Sequence, residues 1–369
     1  MSTQTPREPF LTDLLVYPTH RCNLKCRHCY FAPTYDTRVT REAAEVTCDQ
    51  ICRAVDELLP FGLARCKFSG GEPLLRDDLL TMCSRVDAKG VRVIIETNGT
   101  LVEERHAEGL RRLQRRPFVS VSIDGAVPAT HEALRGVEGS FHRTLRGIGY
   151  LISAGIKVQA IAAVHEGNKG EIPALMDMCA ARGIRSVKVC FITSIGRARD
   201  FHLIDRRETL DLDEQFADYA ARAGIRYRSS IPVALKSANR IVGTCAMSNR
   251  CNIVSTLGIL ADGTITICGM GRHVADFRFG KLGIDDLPDL WMSHPVLHLI
   301  RTSIPNRLRG VCGRCIARLA CMGHCRLANE NATADDLLEP FSMCDEMEKM
   351  GLFPKSRLVE RSHVLTASA

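Results

Sequence analysis

The sequence predicts an α/β protein with an open, partial (β/α)6 barrel of the TIM type, followed by a small cysteine-rich domain that contains a β-hairpin. Three observations predict this fold class. The 369 residues exceed one typical domain, apolar runs alternate with helical periods over the first two thirds, and eight cysteines fall between Cys245 and Cys344. Because the alternation weakens from about Ala198, we predict a barrel over 1–235 and a cysteine-rich domain over 236–369.

The six predicted strands are compact apolar or alternating runs. They cover Leu14 to Tyr17, Cys66 to Ser69, Val91 to Glu96, Val119 to Ile123, Lys157 to Val164 and Ser186 to Phe191. Six strand–helix repeats require parallel crossovers. Barrels built in this way carry their chemistry at the carboxyl ends of the strands.

Helical periods separate these strands. The first predicted helix, Thr40 to Leu59, places Cys48, Cys52 and Val55 on one apolar stripe, and Pro60 and Gly62 end it. Further helices are predicted near 77–88, 102–115, 141–153 and 170–182, and another near Leu212 to Ala223.

Composition and charge exclude several classes of protein. Hydrophobic residues at 45% and charged residues at 25% exclude a collagen-like, low-complexity or largely disordered chain. No apolar run reaches membrane length and the first ten residues lack a signal peptide, so we expect a cytoplasmic protein without a membrane partner. The net charge of +7 is scattered, which indicates no nucleic-acid partner.

A cysteine loop follows the first predicted strand. Cys22, Cys26 and Cys29 form a C-x3-C-x2-C pattern, with Tyr30 next. Structural zinc sites normally take four protein ligands, whereas a 4Fe-4S cluster accepts three thiolates and leaves one iron open for a cofactor. With 17 cysteines in a chain expected to stay reduced, metal ligation explains this abundance best.

Three further motifs follow later strands. Ser69-Gly70-Gly71-Glu72-Pro73 comes after the second strand, Asn98 and Gly99 follow the third, and Ser122-Ile123-Asp124-Gly125 follows the fourth. Together with the cysteine loop, these segments resemble the signature loops of radical S-adenosylmethionine (SAM) enzymes, whose fold is a partial barrel.

The resemblance implies reductive cleavage of SAM to a 5′-deoxyadenosyl radical that abstracts hydrogen from a substrate. It implies cluster ligation by Cys22, Cys26 and Cys29. The implied SAM-binding set is Tyr30, Gly70, Gly71, Glu72, Pro73, Asn98, Ser122, Asp124 and Arg135. Glycines let backbone groups approach a ligand, and Glu72 can accept a bond from the methionine ammonium. Ser122 and Arg135, or alternatively Arg143, are candidates for the SAM carboxylate contact.

The C-terminal cysteines form a second constellation, with a hairpin predicted across Leu257 to Cys268. Spacing alone leaves open a zinc ribbon at Cys312, Cys315, Cys321 and Cys325. The whole pattern resembles the SPASM domain, an auxiliary-cluster extension of radical SAM peptide-modifying enzymes. This resemblance implies one 4Fe-4S cluster on Cys245, Cys251, Cys268 and Cys325, and another on Cys312, Cys315, Cys321 and Cys344. The protein would then carry three 4Fe-4S clusters.

The remaining six cysteines, Cys48, Cys52, Cys66, Cys83, Cys179 and Cys190, are interpreted as small packing residues. No catalytic acid or base can be named. In anaerobic sulfatase-maturing enzymes an aspartate follows the glycine-spaced cysteine, but Gly269 follows Cys268 here. Asp262 and Asp276 lie nearby in sequence without a role that can be assigned.

The SPASM resemblance implies an oxidoreductase that crosslinks, epimerises or oxidises a ribosomally made precursor peptide. Since the first strand begins soon after Phe10, we expect direct docking or a separate peptide-recognition protein. A flavodoxin or ferredoxin is the expected reductant. The alternatives are a small-molecule radical SAM dehydrogenase, decarboxylase or tetrapyrrole-modifying enzyme, and, more remotely, a non-enzymatic iron-sulfur electron carrier or zinc-binding adaptor.

Overall fold

The computed structural model describes residues 9–243, 251–327 and 333–359. Most of its strands belong to one large sheet, and β2 and β3 form a separate short pair. In chain order the strands are β1 Asp13–Val16, β2 Arg21–Cys22, β3 Thr34–Tyr35, β4 Arg65–Phe68, β5 Arg92–Thr97, β6 Phe118–Ser122, β7 Lys157–Val164, β8 Ser186–Phe191, β9 Arg226–Ser229, β10 Thr256–Ile259, β11 Thr264–Thr266 and β12 Arg278–Lys281.

The large sheet has the order β12-β11-β10-β1-β4-β5-β6-β7-β8-β9. Its strands from β10 through β1 to β9 all pair in parallel, which confirms the predicted α/β partial barrel. All six predicted strands are present, within one residue at each end. An additional parallel strand, β9, was not predicted because its sequence, RYRS, is polar.

The helices that link and cover these strands are α1 Cys48–Leu58, α2 Leu79–Ala88, α3 Glu104–Arg111, α4 Pro128–Arg135, α5 Ser140–Ser153, α6 Ile172–Ala181, α7 Arg206–Arg222, α8 Ala238–Gly243, α9 Leu287–Ser293, α10 Pro295–Ser303, α11 Gly310–Arg314, α12 Arg318–Cys321 and α13 Ser342–Lys349. The prediction of a first helix from residue 40 was wrong, because α1 begins after Thr47. Thr47 and Gln50 form a capping box there.

The main apolar core lies between the outward face of the sheet and the covering helices. Strand residues such as Cys66, Val93 and Val187 are fully buried there, together with Cys83 and Cys179 from the helices. Burial of these thiols among apolar side chains agrees with their interpretation as packing residues. The opposite strand faces are left to line the interior of the barrel.

The predicted C-terminal hairpin is confirmed, because β10 and β11 pair antiparallel and β12 extends them. Its first strand also pairs in parallel with β1, so the sheet continues from the barrel into the cysteine-rich region. The division of the chain near residue 235 stays a prediction. None of the described helices is both long enough and apolar enough to cross a membrane.

Candidate active site

The cysteine loop, residues 22–30, lies at the carboxyl end of β1, as predicted. The side chains of Cys22 and Cys26 are buried and that of Cys29 is half-buried. Burial raises the pKa of the Cys22 thiol, and Glu72 and the neighbouring thiol of Cys26 raise it further. Burial also raises the pKa of Cys26, so both buried thiols are poor isolated acids, but a metal cluster compensates thiolate charge. These donors therefore fit a three-thiolate cluster.

Neighbouring segments hold this loop by its backbone. The amides of Lys25 and Arg27 donate to the last carbonyls of α4 at 3.0 and 2.9 Å. On the other side, the Arg197 amide donates to the Cys29 carbonyl at 3.1 Å, and its guanidinium donates to the carbonyls of Cys26 and Pro33. The loop is thus positioned by the elements after β6 and β8.

Asn98 connects the cysteine loop to the end of β5. Its Nδ2 donates to Asn23 Oδ1 at 2.8 Å and lies 3.9 Å from the Cys22 sulfur, and its Oδ1 accepts from Thr100. Asn23 Nδ2 also donates to the Thr100 hydroxyl at 2.8 Å. This closed and buried amide network fixes the position of the first cysteine.

The glycine-rich motif after β4 packs against the same loop. At Gly71, a Cβ atom would lie 1.9 Å from the Arg21 carbonyl oxygen, immediately before Cys22. At Gly70, the backbone has a φ of +112°, in the region that favours glycine. Close packing of the protein backbone on itself therefore requires a glycine at position 71, and its contact with SAM stays a prediction.

Glu72 is fully buried and joins two of the strand-end motifs. Its carboxylate accepts hydrogen bonds from the Thr97 hydroxyl at 2.7 Å and from the amides of Asn98 and Leu74. Burial raises its pKa to about 6, although these three donors favour the ionised form. Pro73 then begins a short 3-10 turn. The contact between Glu72 and the methionine ammonium stays a prediction.

Asp124 and Arg135 form a buried ion pair beside the cysteine loop. Arg135 Nε donates to Asp124 Oδ2 at 2.5 Å, and its Nη1 lies 3.7 Å from the Cys26 sulfur. Ser122 ends β6 two residues before Asp124. Arg143, the alternative arginine, instead donates to the Glu138 carbonyl at an exposed position. Of the two arginines, only Arg135 approaches the cysteines.

Tyr30 borders a cavity of about 560 Å³ between the barrel and the cysteine-rich region. The barrel side of the cavity is formed by residues 190–195 at the end of β8, and the opposite side includes Met270, Cys325 and Phe341. This volume lies within the range of about 300–1,000 Å³ that is usual for small-ligand sites. The cavity therefore reaches from the cysteine loop to a predicted auxiliary-cluster ligand.

Three cysteines of the first predicted auxiliary set come together. Burial raises the pKa of Cys251, and the thiols of Cys325 and Cys268 raise it further. Burial together with Cys325 likewise raises the pKa of Cys268, to about 11. The fourth predicted ligand, Cys245, lies outside the described residues.

The second predicted set, Cys312, Cys315, Cys321 and Cys344, lines one small apolar cavity. Burial raises the pKa of Cys321 to about 11, with further contributions from Cys312 and Cys315. The structure thus groups these four thiols, and it places Cys325 with Cys251 and Cys268 instead. A zinc site built from the spacing of residues 312–325 would need Cys325 in the second group, so the geometry does not favour that alternative.

Gly269 directly follows Cys268, at the position discussed above for a catalytic aspartate. Its amide donates to the Tyr17 hydroxyl at 2.7 Å, and a Cβ atom would lie 2.9 Å from the Tyr17 ring. Tyr17 therefore leaves no room for a larger residue. Asp262 accepts hydrogen bonds within the hairpin turn from Thr264, and Asp276 accepts from the amide of Ala334.

Several site residues were missed from the sequence. Asn23 and Arg197 position the cysteine loop, and Lys67, Glu96 and Lys188 lie on inward faces of barrel strands. A charged residue within an otherwise apolar parallel strand was the available signal for the last three. No comparable signal marked Arg197, since its role depends on the fold bringing the end of β8 to the loop.

Comparisons with known proteins agree with this geometry. Residues 16–179 match the model of the Radical SAM superfamily. An AdoMet-dependent heme synthase of Methanosarcina barkeri is 29% identical over 87% of this chain and 93% of its own length. The subtilosin biosynthesis protein AlbA of Bacillus subtilis is 27% identical over 76% of this chain and 59% of its own length.

Among solved structures, SuiB of Streptococcus suis with bound S-adenosylmethionine superposes with a TM-score of 0.69 at 20% identity. The match covers 91% of this chain and 77% of SuiB. SuiB has also been solved with its precursor peptide SuiA. The matched domain contains the cysteine loop and the strand-end motifs that surround it. Residues 16–179 of this chain are therefore a domain of the Radical SAM superfamily.

Proposed function

We propose that this enzyme carries two auxiliary 4Fe-4S clusters in a SPASM-like C-terminal region and modifies a ribosomally made peptide. The observation that carries this proposal is the cavity between Tyr30 and Cys325. A substrate in that cavity would contact the SAM side of the barrel and one auxiliary cluster together. Such a position suits an oxidation in which the substrate must lose an electron.

The ligand assignment is supported by how the thiols group. Cys22, Cys26 and Cys29 would hold the SAM-binding cluster, which supplies the electron that cleaves SAM when it is bound. Cys251, Cys268 and Cys325 with Cys245 would hold one auxiliary cluster. The group of Cys312, Cys315, Cys321 and Cys344 would hold the other.

The chain's own residues would orient SAM. Arg135 would bind the SAM carboxylate with Ser122, and Asp124 would hold the guanidinium in position. Asn98 fixes the loop that carries Cys22. Tyr30 would border the bound cofactor from the cavity side.

Peptide substrates are supported by two relatives. SuiB binds the precursor peptide SuiA, and AlbA acts in subtilosin biosynthesis. We propose that the peptide docks directly or through a separate recognition protein. A flavodoxin or ferredoxin would supply electrons in the cytoplasm.

A tetrapyrrole is the second candidate substrate. The observation that favours it is the heme synthase of Methanosarcina barkeri, which matches over 93% of its own length. A planar, mostly apolar ring system also suits a cavity whose wall includes Met270, Ile231 and Phe341.

One experiment separates the two candidates. Anaerobically reconstituted enzyme with SAM and reduced flavodoxin is offered the short peptides encoded beside its gene and, separately, the iron complex of coproporphyrin III. A mass change in a peptide supports peptide maturation, whereas a mass change in the porphyrin supports the second candidate. If neither changes and no 5′-deoxyadenosine forms, both proposals are contradicted.

A further inference from the structure

A half-buried ion pair joins two neighbouring strands on the inner face of the barrel. On β4, Cys66 and Phe68 are fully buried under the helices, so Lys67 between them faces inward. Its Nζ lies 2.9 Å from Oε1 of Glu96 on β5. The hydroxyl of Ser69 donates to the other oxygen of Glu96 at 3.0 Å. Each oxygen of the Glu96 carboxylate thus has one partner on this wall of the barrel.

Two further cations face the same interior from β8 and β9. Val187 and Val189 are fully buried in the outer core, which directs Lys188 inward. The Tyr227 hydroxyl donates to Asp213 on the covering helix α7, so Arg228 on the opposite face also points inward. Lys188 and Arg228 are Cα partners in the parallel register.

The interior charges do not balance. Among the half-buried, inward-facing side chains of these four strands, Lys67, Lys188 and Arg228 are cationic and Glu96 is anionic. In the described part of the chain, no carboxylate forms an ion pair within 4 Å with Lys188 or Arg228. Burial tends to raise the pKa of Glu96, but Lys67 and Lys188 hold it at about 2. The thiol of Cys190 and the Glu96 carboxylate raise the pKa of Lys188, so it stays protonated. A net positive charge inside a barrel requires an anionic partner to compensate it.

These cations lie next to the cavity. Cys190 follows Lys188 by two residues on the same face of β8 and lines the cavity, as does Ser230 just after β9. Ile231, Met270 and Phe341 add apolar surface to the lining, and His324 adds a polar ring. Arg206 also lines the cavity, but it is already paired with Glu346 at 2.7 Å. Lys188 and Arg228 thus lie two residues before lining residues of the cavity, on the barrel side of its floor.

We propose that Lys188 and Arg228 bind a carboxylate of the substrate inside the barrel, beside the Lys67–Glu96 ion pair. This inference rests on the proposed function, since it assigns a recognition element to the substrate of that same cavity. An ammonium–guanidinium pair supplies charge-assisted donors that suit a carboxylate. The propionates of a tetrapyrrole and an acidic side chain of a peptide offer the same group.

The test compares carboxylate probes with neutral counterparts on the reconstituted enzyme with SAM bound. One probe pair is coproporphyrin III and its tetramethyl ester. The other is a blocked pentapeptide with a central glutamate and the same peptide with glutamine. We expect one carboxylate probe to bind more tightly than its neutral form. Lys188→Gln with Arg228→Gln should weaken that binding about 10- to 100-fold and leave the neutral form unaffected.

Matched variants separate this site from a general effect of charge. The control variant, Lys157→Gln with Arg226→Gln, removes the same charge from exposed positions at the amino ends of β7 and β9. This variant should keep the preference for the carboxylate probe. Lys188→Arg, which retains the positive charge, should also keep the preference for the carboxylate probe. The probe pair that shows the preference identifies the source of the carboxylate.

Three results would overturn the inference. The first is that the wild-type enzyme does not prefer either carboxylate probe over its neutral form. The second is that this preference remains in the Lys188 and Arg228 double variant. The third is that the exposed control variant loses the preference equally. Substrate-free cleavage of SAM is measured on every variant. Loss of cleavage in the double variant would assign the two cations to the cofactor and also overturn the inference. Absence of cleavage in the wild type would instead contradict the proposed function.

Discussion

The guanidinium of Arg135 donates to the buried carboxylate of Asp124 at 2.5 Å and extends its other end to within 3.7 Å of the Cys26 sulfur. Asp124 also accepts a hydrogen bond from the amide of Ala163 on β7 at 2.8 Å. One carboxylate therefore ties the end of β7 to an arginine beside the cysteine loop. This arrangement gives Arg135 a fixed position from which to meet an anionic group.

Arg135→Gln should weaken SAM binding, because it removes the cation assigned to the SAM carboxylate. We expect the dissociation constant to rise by about 10- to 100-fold, the usual cost of losing a charge-assisted bond. Isothermal titration of the reconstituted enzyme with SAM measures it. Arg143→Gln is the matched control, since the Arg143 guanidinium donates to the Glu138 carbonyl at an exposed position. Equal effects of both changes would contradict the assignment.

Asp124→Ala should destabilise the fold as well as weaken SAM binding, because it leaves the Arg135 guanidinium buried without its counter-ion. Breaking a buried pair from one side typically costs about 3–5 kcal/mol. Chemical denaturation under anaerobic conditions measures the free energy of unfolding. Wild-type stability in this variant would show that Arg135 has another way to satisfy its charge.

Gly71→Ala should disrupt the cysteine loop, because the added Cβ would lie 1.9 Å from the Arg21 carbonyl oxygen. Overpacking of this kind typically costs about 1–3 kcal/mol. We expect a lower Tm and poor loading of the cluster on Cys22. Gly149→Ala on α5 is the control, since its Cβ would meet nothing within 4 Å. Normal cluster loading in Gly71→Ala would contradict the packing role.

Periodicity predicted the fold where strands were apolar and helices amphipathic. The bounds of β7 and β8 agree with the prediction to the residue. The start of α1 was misplaced because residues before Thr47 are held by tertiary contacts instead, such as the hydrogen bond from the Val46 amide to the Ala261 carbonyl at 2.7 Å. The polar sequence of β9 has no apolar pattern that would predict a strand. Its extended conformation depends on its pairing with β8.

The site was predictable where motifs follow strands in order. Parallel topology brings Cys22, Gly71, Asn98 and Asp124 to one edge of the sheet. What the sequence could not show is how these residues bond to one another. Glu72, for example, is fully buried and accepts three hydrogen bonds from other residues of the protein.

Cys312→Ala with Cys315→Ala should uncouple SAM cleavage from product formation. Cleavage needs only the loop at Cys22, whereas a two-electron oxidation needs an acceptor for the substrate electron. We expect 5′-deoxyadenosine to form while the modified substrate does not, as measured by mass spectrometry once the substrate is known. Soluble variant protein that makes product at the normal rate would exclude this role.

A structural role for the same cluster gives a different result. If it only holds α11, α12 and α13 together, the variant should lose solubility or both activities at once. Far-ultraviolet circular dichroism of the purified variant separates this outcome from uncoupling.

The central claim is that Cys22, Cys26 and Cys29 hold a 4Fe-4S cluster that cleaves SAM, separate from two auxiliary clusters. The most direct measurement compares iron content and 5′-deoxyadenosine formation in the wild type and in the variant with all three cysteines changed to Ala. Three 4Fe-4S clusters require about twelve irons per chain in the wild type and about eight in the variant. The account predicts those contents and no SAM cleavage by the variant. Persistent cleavage, or unchanged iron, would contradict it.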